Sequence, residues 1–107
     1  MDEPNREWHN SRVVVDFVPG VARAWWCDHV HWLVCDDGAA VVVCDVGRVS
    51  VPSLGLIDTL VRMRLTARRC GGELLLHGAG VSLRALLDLY GLASALPSDD
   101  HIERDGH

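Results

Sequence analysis

The run AVVVCDV, residues 40–46, decides the fold, because six of its seven positions are apolar and three consecutive positions are valine. A continuous apolar run of this length, rich in a β-branched residue, is typical of a strand that a sheet buries on both faces. Such strands occur mainly in parallel sheets, whose crossover helices cover the faces. The run therefore predicts a buried strand of an α/β domain.

The sequence before this run predicts one strand and one helix. Residues 13–17 (VVVDF) are mostly β-branched and are followed by Pro19-Gly20, as at the end of a strand. Residues 21–35 contain neither glycine nor proline and predict a long helix. One stripe of that helix is wholly apolar and is predicted to face the core: Trp26, Val30, Leu33 and Val34.

The sequence after the run continues the alternation. Apolar residues recur at helical spacing and predict a helix that stops at Gly71-Gly72. Residues 74–77 predict a short buried strand, Ser82 is the predicted N-cap of a last helix, and Gly91 is its predicted end. The residues that carry the helical spacing are Leu56, Leu60, Met63 and Ala67.

Strand and helix thus alternate three times, which predicts an α/β domain with at least partly parallel strands. A chain of 107 residues has room for one core, and the domain is predicted to cover residues 12–96. The polar segments 1–11 and 97–107 lack apolar periodicity. Both are predicted to be disordered, the second as an acidic tail.

Composition and charge exclude several classes of function. The net charge is −5, whereas nucleic-acid-binding domains normally carry a basic surplus, so no nucleic-acid partner is predicted. All ten basic residues are arginine, which excludes chemistry that needs a lysine. No apolar stretch approaches the roughly 20 residues of a membrane span, and the acidic N-terminus is unlike a signal peptide. The sequence therefore predicts a cytoplasmic protein without membrane insertion.

Four cysteines are predicted to be reduced core thiols, because no feature points to secretion: Cys27, Cys35, Cys44 and Cys70. Cys27, His31 and Cys35 are spaced i, i+4, i+8, so on a helix they form one stripe that could bind a metal, with His77 as a fourth ligand. The spacing lacks the Cys-x-x-Cys pair of common zinc sites. Core thiols beside a surface histidine are the favoured interpretation, and neither a metal nor a cofactor is predicted.

Trp25 and Trp32 lie on a second stripe of the first predicted helix, and a helix on a small sheet buries one face rather than two. One hypothesis is that they form a partner or self-association surface, as in a homodimer, because tryptophan is enriched at interface hot spots. The alternative is that the N-terminal segment containing Trp8 covers them. The sequence leaves both alternatives open.

Five segments follow one another in an order and spacing that a known family shares: VVVCDV (41–46), PSLGL (52–56), ARRCG (67–71), LLL (74–76) and VSLRALLDL (81–89). With these segments, residues 39–96 resemble the STAS domain of anti-sigma-factor antagonists. The resemblance implies a small STAS-like α/β domain with a mixed sheet of about four strands and helices packed on it. It also implies a domain that works by binding another protein.

In that family, a kinase phosphorylates the hydroxyl residue directly before a glycine, at the start of the helix after the third strand. The matching residue here is Leu54, which precedes Gly55 and has no hydroxyl, and Pro52 replaces the aspartate of the family motif. The usual phosphorylation is therefore excluded at this position. Ser53 is a neighbouring hydroxyl that could be an acceptor, but serine before a helix is more often a cap.

The resemblance implies a regulatory binding module without enzymatic activity, whose protein partner is an anti-sigma factor or a kinase-like ATPase. No Ser/His/Asp set, glycine-rich phosphate loop or carboxylate pair points to catalysis. Two alternatives remain: an accessory subunit that regulates the ATPase of an ABC transporter, and a homo-oligomeric scaffold. The predicted partner surface consists of residues at the helix start and one further along the helix: Ser50, Pro52, Ser53, Leu54, Gly55 and Arg62.

Overall fold

The computed structural model describes residues 11–98, and a parallel sheet of three strands runs through them. In chain order, which is also their order across the sheet, the strands are β1 (Arg12–Asp16), β2 (Val41–Asp45) and β3 (Glu73–His77). The apolar run that decides the fold therefore forms the central strand, paired on both sides.

Helices connect the strands and follow the last one. The helical elements are α1 (Arg23–His31), a π-helical segment (Trp32–Asp36), α2 (Leu54–Arg69), α3 (Val81–Leu89) and a 3₁₀ turn (Ala93–Ala95). Parallel strands need a long crossover connection, and α1 and α2 supply the two crossovers of this sheet.

The predicted alternation of strands and helices, with parallel strands, is confirmed. The predicted mixed sheet of about four strands is not confirmed, because residues 11–98 form three strands that are all parallel. After α3 the chain returns to β3 for a single bridge, in which Leu76 pairs with Ser98 and donates its N–H to the carbonyl of Pro97 over 2.8 Å. Of the segments 1–11 and 97–107, which were predicted to be disordered, residues 1–10 and 99–107 lie outside the described residues.

The core lies between the sheet and the helices. Side chains alternate along a strand, so Val15, Cys44 and Leu76, which are partners across the three strands, lie in one row on one face, and all three are buried. Right-handed crossovers between successive neighbouring strands place both connecting helices on one face. The apolar stripe predicted to face the core is confirmed, because its members are all buried: Trp26, Val30, Leu33 and Val34.

Two adjacent glycines join α2 to β3. Gly71 has a φ of +90°, a left-handed conformation that ends the helix and that side chains other than glycine rarely adopt. At Gly72, a Cβ atom would lie 2.8 Å from Cγ1 of Val34 and 3.1 Å from the carbonyl oxygen of Ala40. The helix end predicted at this pair is confirmed, and the second glycine lets the chain pass close to the end of the α1 crossover.

Other element boundaries differ slightly from the predicted ones. α3 begins at Val81 with Gly80 as its N-cap in extended backbone, so the predicted cap Ser82 lies inside the first turn. β1 begins and ends one residue earlier than predicted, and α1 begins at Arg23 rather than at Val21. Backbone hydrogen bonds set these ends, whereas hydrophobic spacing locates them only to within one or two residues.

A partly buried ion pair joins α2 to the start of β3. Arg64 donates from Nε and Nη2 to the two carboxylate oxygens of Glu73 over 2.8 and 3.1 Å, and from Nη1 to the carbonyl of Ala95 over 3.0 Å. Arg68 adds a contact of 3.1 Å to the same carboxylate. The hydrogen bonds from Arg64, supported by the N–H of Leu74, hold the pKa of Glu73 below its ordinary value.

We predict that Glu73→Gln lowers the free energy of unfolding at neutral pH by about 2 kcal/mol, because it removes the charge from a bidentate, partly buried pair. The pKa of Glu73 is lower in the folded than in the unfolded chain, so its contribution is complete above a pH of about 4.3 and is lost as the pH falls through the folded-state pKa. Urea denaturation at neutral pH and at about pH 3 measures both effects.

Asp58→Asn is the matched control, because the carboxylate of Asp58 and its partners Arg23 and Arg62 are solvent-exposed. We expect a smaller loss than for Glu73→Gln, since exposed ion pairs contribute little. A difference between wild type and Glu73→Gln that does not shrink at low pH would contradict the prediction.

Candidate functional site

A cleft opens at the carboxyl edge of the sheet, where β1 and β2 end. In open α/β sheets the binding sites lie at this edge, because the loops that follow the strands converge there. The cleft has a volume of about 400 Å³. The connection after β1 contributes Phe17 and Val21 to its lining, and the start of α2 contributes Val51, Ser53 and Leu56.

Ser53 is the N-cap of α2. Its Oγ accepts a hydrogen bond from the N–H of Leu56 over 3.1 Å, and its backbone is extended, as at most helix starts. Its carbonyl accepts the N–H of Ile57 over 3.1 Å. A helix start leaves its first N–H groups without helical partners, and Ser53 satisfies one of them. The capping role that the sequence favours for Ser53 is confirmed.

An apolar side chain lies in solvent directly beside this cap. Leu54, the first residue of α2, is 57% exposed, and Val51 in the preceding loop is 83% exposed. Ser50 and Gly55 are also exposed, and Pro52 is half-buried. We call residues 50–55 the α2-start surface. It combines exposed apolar area with a helix N-terminus, and five of the six predicted partner-binding residues lie on it.

The α2-start surface suits apolar and acidic groups of another molecule. The first turn of α2 contains no acidic residue, so the partial positive charge of about +0.5 at the helix N-terminus is not neutralised from within that turn. The residues that line the cleft are apolar residues, glycines, serines and a threonine, and none of those described carries an ionisable side chain. Such a lining offers packing and hydrogen bonds.

Arg62, the sixth predicted partner-binding residue, lies apart from the α2-start surface. It lies eight helical positions beyond Leu54, roughly 12 Å along the axis. Its Nε donates to the carboxylate of Asp58 over 3.1 Å, and Arg23 of α1 donates to the same carboxylate. The hydrogen bond from Arg23 first, and those from Arg62 next, lower the pKa of Asp58. Arg62 therefore belongs to a contact between α1 and α2.

Trp25 and Trp32 are half-exposed on α1 and the π-helical segment, at 51% and 50%. Trp25 meets the edge of Trp26 at a centroid distance of 4.9 Å, and Trp26 is buried and stacks on Phe17 at 4.8 Å. One face of this aromatic cluster is therefore in the core and the other is open. Trp8, which the alternative hypothesis places over the two exposed rings, lies outside the described residues.

Cys35 and Cys70 form a disulfide, with their Cα atoms 5.4 Å apart. The prediction that all four cysteines are reduced core thiols is therefore wrong for this pair. It is confirmed for Cys44, where burial raises the pKa of the thiol to about 12, so this sulfur stays protonated. Cys27 has a free thiol and is partly buried.

The structure brings together a different set of candidate metal ligands from the one predicted. The ligand atoms of His31, Cys35 and Cys70 lie within 4.8 Å of one another. Cys27 lines the adjoining cleft but is not part of this group. His77 ends β3, whereas Cys70 precedes it, so the two lie at opposite edges of the sheet. The set of Cys27, His31, Cys35 and His77 considered from the sequence is therefore replaced by His31, Cys35 and Cys70.

Cys70 was predicted to be a reduced core thiol and was not among the predicted metal ligands. The α1 crossover and α2 both end just before a strand of the same parallel sheet, so both ends lie at its amino edge. Cys35 lies at the end of the π-helical segment and Cys70 directly follows α2. Cysteines at the ends of two consecutive crossover helices were the signal that could have predicted the pair.

No family model matches the chain, and no curated protein or solved structure matches it either. The resemblance to the STAS domain therefore rests on the sequence segments alone. Within residues 11–98, no helix has both the length and the apolar character needed to cross a bilayer.

We predict that Ser53→Ala lowers the free energy of unfolding by about 1 kcal/mol, because it leaves the N–H of Leu56 without its capping oxygen. Ser53→Asp should retain the stability of the wild type, since aspartate is an equally good N-cap. Ser50→Ala is the control in the exposed loop and should leave the free energy of unfolding unchanged. Urea denaturation measures all three, and equal stability of Ser53→Ala and wild type would contradict the capping role.

Proposed function

We propose that this chain is a regulatory protein-binding module without enzymatic activity, and that it acts on its partner as the anti-sigma-factor antagonists of the STAS family do. The partner is an anti-sigma factor or a kinase-like ATPase, met in the cytoplasm. The α/β architecture supports this proposal, because it presents the family-like segment PSLGL, residues 52–56, at the carboxyl edge of the sheet.

The exposed side chain of Leu54 is the observation that carries the proposal. Leu54 is the first residue of α2 and is 57% exposed, and its chain neighbours Ser53 and Gly55 line the cleft. Apolar area in water is unfavourable by roughly 25 cal/mol per Å², and contact with an apolar group of a partner relieves it. The adjacent helix N-terminus favours an acidic group of the partner at the same place. The exposed apolar side chain and the helix N-terminus both favour binding to the surface of another protein.

Phosphorylation does not switch this surface in our proposal. A phosphoryl group at the start of a helix adds about 1.5–2 negative charges and alters any interface built there. Leu54 has no hydroxyl and cannot receive such a group, and in our proposal the neighbouring Ser53 acts only as the cap of α2. Binding is therefore constitutive, and its control must come from the amount of either protein or from another site.

We predict that Leu54→Asp weakens partner binding at least about tenfold, or ~1.4 kcal/mol, because a solvated carboxylate replaces an apolar contact. An acidic residue in the first turn interacts favourably with the helix dipole, so the variant keeps its fold. Leu65→Asp is the matched control, because Leu65 is an exposed leucine further along the same helix. Tagged full-length chain captures the partner from native cytosol, and calorimetry with the purified partner measures each affinity.

Capture of a kinase-like ATPase or anti-sigma factor whose binding is weakened by Leu54→Asp and not by Leu65→Asp supports the proposal. Capture of an ABC-transporter ATPase instead would replace it with the transporter-regulating alternative. Equal binding by Leu54→Asp and wild type would contradict the role of the α2-start surface. Stoichiometric phosphorylation by the captured kinase would contradict the loss of the switch.

Self-association through α1 is a second candidate function, favoured by the half-exposed rings of Trp25 and Trp32. The two residues are seven positions apart, or about two helical turns, so their side chains lie on one stripe. Large aromatic side chains on one stripe are the usual anchors of a protein interface. A homodimer would bury both rings against a second copy.

We predict that, if α1 is the self-association surface, wild type elutes as a dimer and Trp32→Arg elutes as a monomer. The charged side chain would have to lose water in the contact, which is unfavourable. Size-exclusion chromatography with light scattering gives the mass of each. Leu89→Arg, on the exposed side of α3, is the control and should elute like wild type. A monomeric wild type at high concentration would rule this function out.

A further inference from the structure

Three side chains that bind metals meet where the α1 crossover and α2 end. His31 is the last residue of α1, Cys35 lies in the π-helical segment, and Cys70 is the C-cap of α2. Their ligand atoms lie within 4.8 Å of one another. His31 and Cys35 are exposed and Cys70 is half-buried. The group is therefore accessible to an ion and to small solutes.

The π-helical segment contributes to this meeting. Its wider turn is closed by a hydrogen bond of 2.9 Å from the N–H of Asp37 to the carbonyl of Trp32, five residues earlier. Turns of this kind are rare and occur frequently at functional sites. Cys35 lies inside this turn, and its disulfide shows that its sulfur reaches the end of α2.

Two thiolates and an imidazole form a donor set that selects zinc-class ions. When the cysteines are reduced, the two sulfurs are no longer bonded and separate to van der Waals contact. A tetrahedral ion with Zn–S bonds of about 2.3 Å holds two sulfurs roughly 3.8 Å apart, which is close to that contact. Two reduced sulfurs in van der Waals contact are therefore at about the spacing that zinc requires.

The surroundings leave space for a fourth ligand. A cleft of about 430 Å³ adjoins the three side chains and is also lined by Cys27, Asp28 and Arg69. Sites with three protein ligands and one exchangeable water are common for zinc. A water at the fourth position would lie on the cleft side.

We propose that the reduced chain binds one Zn²⁺ ion through the imidazole of His31 and the thiolates of Cys35 and Cys70, with water as the fourth ligand, and that formation of the Cys35–Cys70 disulfide releases the ion. Disulfides in the cytoplasm are usually transient or redox-sensing, which fits an exposed pair that alternates between two states. The site lies at the amino edge of the sheet, opposite the α2-start surface. The site is therefore separate from that surface, although its redox control rests on the cytoplasmic location in the proposed function.

The oxidant in this proposal is a low-molecular-weight disulfide such as oxidised glutathione. The two thiolates lose two electrons and form one S–S bond, while the S–S bond of the oxidant breaks. The two sulfurs of the oxidant accept these electrons and two protons from solvent and leave as two thiols. The zinc ion loses two of its three protein ligands and dissociates. Excess thiol reverses the exchange and restores the site.

The experiment titrates the reduced full-length chain with Zn²⁺ in competition with a chromogenic chelator, and with Co²⁺ as a spectroscopic substitute. We expect one ion per chain and thiolate-to-cobalt charge-transfer absorption. Cys35→Ser and Cys70→Ser should each weaken zinc binding about 100-fold, and His31→Ala about tenfold or more. Cys27→Ser is the matched control and should bind like wild type. Circular dichroism checks that each variant is folded.

Addition of oxidised glutathione to the zinc-loaded wild type should release the ion in step with disulfide formation, and a thiol should restore binding. This measurement needs no variant. Three results would overturn the proposal: absence of one-to-one binding by the reduced wild type, a loss in Cys27→Ser as large as in Cys70→Ser, or retention of zinc by the fully oxidised chain.

Discussion

Strand β2 pairs with a parallel neighbour on each side, and its side chains Val42, Val43 and Cys44 are at most 3% exposed. Because parallel neighbours require crossover connections, this one buried strand imposes a helix before it and a helix after it. Leu60 and Met63 of α2 and Val30 of α1 are fully buried in the same core. The positions of the remaining described elements follow from this packing of α1 and α2 on the sheet.

The parallel arrangement of the strands also places the two proposed sites at opposite edges of the sheet. Parallel strands all end at one edge, so the connections into α1 and α2 converge there and form the cleft that Ser53 and Gly55 line. The crossovers all return to the opposite edge, so the ends of the π-helical segment and α2 meet there, with Cys35 and Cys70 joined. The proposed partner surface and the proposed redox-dependent zinc site therefore lie at opposite ends of the strands. A substitution at one site therefore makes no direct contact with the other site.

Polar interactions fix the ends of α2 once apolar burial has placed it. At its start, the Ser53 oxygen accepts the N–H of Leu56 and so orders the backbone of the first turn, which carries the exposed side chain of Leu54. In its second half, Arg64 and Arg68 hold Glu73 at the start of β3. A preordered apolar surface binds a partner with a smaller loss of conformational entropy than a flexible loop would. The helix that supports the core thus also supports the proposed binding surface.

The sequence by itself determined the class of fold, the order of its elements, the core stripe of α1 and the cap at Ser53, because these depend on spacing and on interactions between near neighbours. Only the tertiary structure decided that the described strands are three and all parallel, that Arg62 turns toward Asp58 and α1, and that Cys70 joins Cys35 beside His31. These features depend on how distant segments pack. Residues 35 positions apart meet through the geometry of a parallel sheet, which leaves no local periodicity in the chain.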